Sequence, residues 1–226
     1  MKLPAIMSDV ACRLREHWRM KFFLGNGLTI GFWVLYLAIE WHPIRPITPV
    51  PILAADRLIP FMPDAVYPYE SLWLLMPVAP WLMTKQEDLN AYFRAMSSII
   101  LIGLVTFLLY PTSGPRPVAP GAANGLYLGL VRVDSALNAF PSLHAAFAVF
   151  SALCCQPVLA SMGDRGLLRA FMWFWVLAIL AATLLTKQHV VLDLVGGSLL
   201  GAAGYLYKCV RAERMLGRTS RPQRPI

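Results

Sequence analysis

The sequence predicts an all-α fold: a single integral membrane domain in which six helices cross the bilayer and both termini are cytoplasmic. Three observations predict it. The 226 residues are 58% hydrophobic and only 14% charged, whereas soluble domains carry about 25% charged residues. Six apolar stretches reach or approach the ~20 residues that a helix needs to cross a bilayer core. Lys and Arg gather on one side of the topology those stretches imply, as they do on the cytoplasmic side of membrane proteins.

Residues 1–21 come first. Ile6, Val10, Leu14 and Trp18 recur every four residues, with Arg and Lys between them, the pattern of an amphipathic helix lying on the inner leaflet. The apolar run that follows is as long as a span. Leu37-Ala38-Ile39-Glu40 is not a small-x-small cleavage site, so the segment reads as a retained helix and not as a signal peptide. The expected spans are 22–39, 66–83, 91–110, 143–160, 168–186 and 190–207, with 22–207 forming the bundle. The second is interrupted by Glu70, Pro77 and Pro80, and the sixth carries Asp193 near its start. Gly197 and Gly201 in the sixth permit close packing against a neighbouring helix. Residues 208–226 form a basic tail.

An even number of spans puts both basic ends on one side. Together with Lys85, Arg94, Arg165 and Arg169 in the short loops, fifteen of the twenty Lys and Arg residues then lie inside. The net charge of +8 is therefore a matter of topology in a cell membrane, and no nucleic-acid-binding signature accompanies it. Two outward loops are long and rich in proline, 40–65 and 111–142; long ordered loops commonly carry function. Cys12, Cys154, Cys155 and Cys209 show no C-x-x-C spacing, so neither a metal site nor a disulfide is expected, and no cofactor motif is present.

The chemistry-bearing residues cluster on the outward, extracytoplasmic side. Ionisable groups at membrane depth are costly and mark function. His189 and Asp193 begin the sixth span at i, i+4 spacing, which puts them on one helix face. A carboxylate there fixes the imidazole tautomer and leaves the other nitrogen as nucleophile or base. His144 follows Phe140-Pro141-Ser142-Leu143 where the second long loop enters the fourth span. Ser142 is placed to cap that helix, whose N-terminus is a ready anion site. Arg116, between Pro115 and Pro117, offers a guanidinium fork that matches phosphate. Lys187, two residues before His189, would complete a cationic cradle. Two imidazoles, a carboxylate and basic groups, with no P-loop and no acidic metal cluster, suit phosphoryl transfer without a metal.

These segments resemble the signature of the type-2 phosphatidic acid phosphatase superfamily, whose membrane members have six spans. The resemblance covers about residues 91–207, and the stretch from Asp56-Arg57-Leu58-Ile59-Pro60 to Tyr67 is similar to the branch containing inositol phosphorylceramide synthase and sphingomyelin synthase. It implies that His189 is a nucleophile forming a phosphohistidine, oriented by Asp193. His144 would be the general acid, and Arg116 and Ser142 would hold phosphoryl oxygens. The chain departs from the phosphatase pattern at Leu109, Leu143, Ala182 and Thr183, where that pattern has Lys, Gly, Ser and Arg, and Lys187 stands as the replacement cation. The implied substrate is a lipid phosphate or diphosphate. Hydrolysis to free phosphate is the first expectation and headgroup transfer between lipids the second. A non-catalytic transporter or scaffold is the third.

Overall fold

A computed structural model describes residues 3–115, 124–135 and 137–219, with side chains described between 7 and 211. The fold is helical. Helix α1 (Leu3–Arg15) ends at a turn in which His17 takes a positive φ, and α2 (Trp18–Trp41) follows. The break is held by Lys21, whose buried ammonium donates to the carbonyls of Arg13 (2.7 Å) and Trp81 (2.9 Å). The first long helix thus starts four residues earlier than its apolar run.

The stretch expected as the second span is a chain of short pieces: a 3-10 turn (Pro63–Ala65), α4 (Val66–Glu70), α5 (Leu72–Leu75) and α6 (Val78–Leu82). Pro68, Pro77 and Pro80 remove backbone donors from what would be one helix. The junction residues Ser71 and Pro77 keep right-handed helical angles, so the pieces follow one another as an interrupted rod. A short helix, α3 (Ala54–Leu58), precedes them in the loop after α2.

Then come α7 (Gln86–Leu109), α8 (Gly125–Val133), α9 (Leu143–Ser161), α10 (Leu167–Leu185) and α11 (Val191–Thr219). Among the described residues four helices are long and apolar enough to cross a membrane: α2, α7, α9 and α10. The chain is a multi-pass membrane protein. Helix α9 is its axis: 72% of its most apolar window is buried, against 6% for α2. Apolar side chains such as Ile30, Val34, Phe174 and Leu199 point away from the bundle, as lipid contact requires.

Packing on α9 is closest along α11. A Cβ built on Gly197 would lie 2.0 Å from the Ser142 carbonyl oxygen, and one on Gly201 2.3 Å from that of Ala146. The glycine pair lets two backbones touch within the chain. Leu143 is accommodated in the same way: a Cβ on Gly103 of α7 would meet Leu143 Cδ2 at 2.6 Å, so a missing side chain on one helix makes room for the larger one on the other.

Helices α9 and α11 start at the end of the bundle where α2, α7 and α10 finish. Three loops are tied together there. Strands β1 (Thr48–Pro49) and β2 (Thr112–Ser113) pair in parallel, Thr48 opposite Thr112. Ser113 bridges to Leu137, and the Thr112 hydroxyl accepts from the Phe140 amide at 2.8 Å. This small sheet fixes the approach to Ser142 and His144.

Candidate active site

The turn between α10 and α11 delivers His189. The Lys187 amide donates to Leu184 O and the Gln188 amide to Thr183 O, each at 3.1 Å, the paired bonds of a Schellman cap. Lys187 occupies the left-handed position of that cap, φ 56°, where glycine is usual. Its side chain crosses to the loop after α2, the ammonium donating to the carbonyls of Ile59 (2.6 Å) and Asp56 (3.2 Å). Thr183, one of the departures noted above, supplies the carbonyl that also accepts from the His189 amide at 3.2 Å.

Two carboxylates cap the start of α11. Asp193 Oδ2 accepts from the Val190 amide at 3.0 Å, and Asp56 Oδ1 accepts from the Val191 amide at 2.8 Å. Anions at a helix N-terminus are favoured by free N–H groups and by the helix dipole. Asp193 is fully buried and lies 3.4 Å from His189 Nδ1. Among the described residues neither that nitrogen nor Asp193 Oδ1 has a hydrogen-bond partner. The separation is slightly long for a formed hydrogen bond.

His144 sits in the first turn of α9, which Ser142 caps by accepting from the Ala145 amide at 3.3 Å. The Ser142 amide in turn donates to the Asp193 carbonyl at 3.0 Å, so one bond joins the starts of α9 and α11. The two imidazoles face each other with ring centroids 6.3 Å apart and line one narrow cavity of about 30 Å³, with Asp134 and Asn138 in its wall. Tyr69 of α4 stacks on His144, centroids 4.1 Å apart and planes 22° from parallel, with its hydroxyl 3.2 Å from Nδ1. The remaining nitrogen, Nε2, is buried and has no partner among the described residues.

His189, Asp193, His144 and Ser142 therefore come together. Lys187 lines a second cavity, of about 300 Å³, with His189, Asp56 and Pro115, but its ammonium is engaged by two carbonyls. Arg116 lies outside the described residues; Pro115, directly before it, is in the wall of that second cavity. Glu70 is half-buried and accepts from Trp73 Nε1 at 3.1 Å, on the residue next in the wall beside His144.

Sequence reasoning missed Tyr69 as a partner of His144 and Asp56 as a cap of α11. It also missed Glu40, whose carboxylate accepts from both the amide and the hydroxyl of Ser135 at 2.6 Å. Glu40 carried a signal, as an ionisable residue at the end of an apolar span. Among the described residues no group of three or more His, Cys, Asp or Glu side chains is placed to hold a metal ion.

A family model described as the PAP2 superfamily matches residues 44–207. No curated protein and no solved structure matches the chain.

Proposed function

We propose that this chain, which belongs to the PAP2 superfamily, is a phosphatase that hydrolyses a lipid-linked phosphate or diphosphate through a phosphohistidine on His189. The observation that carries this reading is the facing pair of imidazoles, 6.3 Å apart, one of them backed by a buried carboxylate at 3.4 Å.

In the first step His189 Nε2 attacks phosphorus. The N–P bond forms, the P–O bond to the lipid breaks, and the leaving oxygen takes a proton from His144 Nε2. Asp193 stabilises the positive charge that develops on His189, whose proton stays on Nδ1. In the second step water gives its proton to His144 as its oxygen bonds to phosphorus, the N–P bond breaks, and phosphate departs. Arg116 and Ser142 hold the phosphoryl oxygens, Lys187 joins them by releasing the carbonyls of Asp56 and Ile59, and no step needs a metal. Tyr69 is a positioning residue that fixes the ring of His144.

The same reading takes the chain as one integral domain with six crossings, both ends cytoplasmic and the histidines on the extracytoplasmic face. The basic ends and short loops support that orientation.

Transfer to a lipid alcohol in place of water is the second reading. It is favoured by one observation: the cavity beside His144 is walled by Phe32, Trp33, Trp73 and Phe107, surfaces that suit an apolar acceptor. The test is turnover of a panel of lipid phosphates by the protein in nanodiscs with EDTA, with His189→Ala alongside. Metal-independent turnover lost in the variant supports the reading, and the products separate water from alcohol as acceptor. Full turnover by His189→Ala sinks it.

A further inference from the structure

A lipid phosphate must place its hydrocarbon chain somewhere while its phosphate sits between two histidines. In-line displacement decides the side. With His189 attacking, the leaving oxygen departs towards His144, so the chain belongs on the His144 side of the pair. The narrow cavity on that side shares a wall with a larger groove. Phe32, Trp33, Trp73 and Phe147 line the cavity and also line this groove, of about 500 Å³, between α2, the α5–α6 stretch and α7.

We propose that this groove holds the hydrocarbon chain of the substrate lipid, with the phosphate end at His144. This rests on the phosphoryl-transfer reading. The groove follows α2 from Phe32 back to Lys21, about 17 Å at 1.5 Å per residue, the reach of a long acyl or prenyl chain. Its walls are mostly apolar, among them Leu28, Met76, Met96 and Ile100. The one ammonium in its lining, that of Lys21, is engaged by two backbone carbonyls, so the far end offers an anionic headgroup little. The low wall is at Gly25, where a Cβ would meet nothing within 4 Å. The proposed entry for the chain from the surrounding lipid is at this low wall, between α2 and α6. The second cavity, beside Lys187 and bounded by Ile52, Ile59 and Phe61, touches His189 but not His144. A chain leaving towards His144 does not enter it.

The test uses the full chain in nanodiscs and a lipid phosphate carrying a diazirine at the end of its chain. Photolabelling of His189→Ala, which binds without turnover, is mapped by mass spectrometry. Label is expected within residues 21–33, 72–82 or 92–100, and excess unlabelled lipid phosphate should displace it. Gly25→Trp, which fills the groove, should cut that label and lower the ratio of kcat/KM for long-chain over short-chain substrates at least tenfold. Gly27→Trp, also facing open space but off the groove, should leave the ratio within twofold. Label within 52–61 or 184–190 overturns the groove assignment, and so does label that a phosphate-free lipid displaces equally well. Competed label in the groove with no turnover of any substrate supports the groove and counts against the phosphoryl-transfer reading. Turnover dependent on His189 with label elsewhere does the reverse.

Discussion

Gly197→Ala puts one methyl group where α9 and α11 touch. The added carbon would stand 2.0 Å from the Ser142 carbonyl oxygen and 3.0 Å from Ala145 Cβ. The carbonyl belongs to the first turn of α9, accepting from the Ala146 amide at 3.1 Å, so it cannot rotate away cheaply. Relief requires the helices to part by about 1 Å, since non-bonded carbon and oxygen need roughly 3.2 Å, and overpacking of this kind costs about 1–3 kcal/mol. The displacement falls one turn from Asp193, whose carbonyl accepts from the Ser142 amide. It therefore changes the distance between His144 and His189, and a shift of about 1 Å in a reacting pair costs about 100-fold in rate. The assay is kcat/KM on a turned-over lipid phosphate together with thermal melting. Gly197→Ala should lose about two orders of magnitude in kcat/KM and melt lower. Gly27→Ala, with nothing within 4 Å, should keep its activity and gain up to about 1 kcal/mol from helix propensity. Wild-type rates and melting in Gly197→Ala would refute the claim that this contact sets the site geometry.

Three further substitutions isolate single contacts. Tyr69→Phe keeps the ring on His144 but removes the hydroxyl 3.2 Å from Nδ1; kcat should fall about five- to tenfold, the worth of about 1 kcal/mol. KM should hardly change, and the limb of the pH–rate profile set by His144 should move; an unchanged profile assigns Tyr69 to packing alone. Lys187→Gly suits the left-handed backbone and so isolates the side chain: KM should rise about tenfold with melting little changed, and an unaltered KM would remove Lys187 from phosphate binding. Ser142→Ala deletes the cap on α9 and should cost about 1 kcal/mol, read as a lower melting temperature; equal melting would deny the cap its role.

Local features of this fold were legible in the sequence. Apolar runs located α7, α9 and α10 to within a few residues, because membrane length and backbone satisfaction leave a helix little freedom. Ser142 was readable as a cap from its place before an apolar run, and Gly197 and Gly201 as a packing seam. The i, i+4 spacing put His189 and Asp193 on one face. The second predicted span was readable only as weak: its prolines announce breaks but do not say that Ser71 and Pro77 stay helical. What could not be read depends on residues far apart in the chain. Tyr69 reaches His144 across 75 positions and Asp56 reaches Val191 across 135, and no local pattern encodes such pairs. Leu143 departs from the family pattern, and the space for it comes from Gly103, far away in the chain. Lys187 was readable as a cation but not as a left-handed cap held by two distant carbonyls.

In the proposed mechanism His189 carries the phosphoryl group. The most direct test is rapid alkaline quenching of the nanodisc-embedded protein during turnover of a phosphorus-labelled lipid phosphate, followed by peptide mapping. Label should appear on His189 at a level that rises before steady state and vanishes in His189→Ala. Steady turnover with no label on His189, or labelling that persists elsewhere in His189→Ala, would contradict the account.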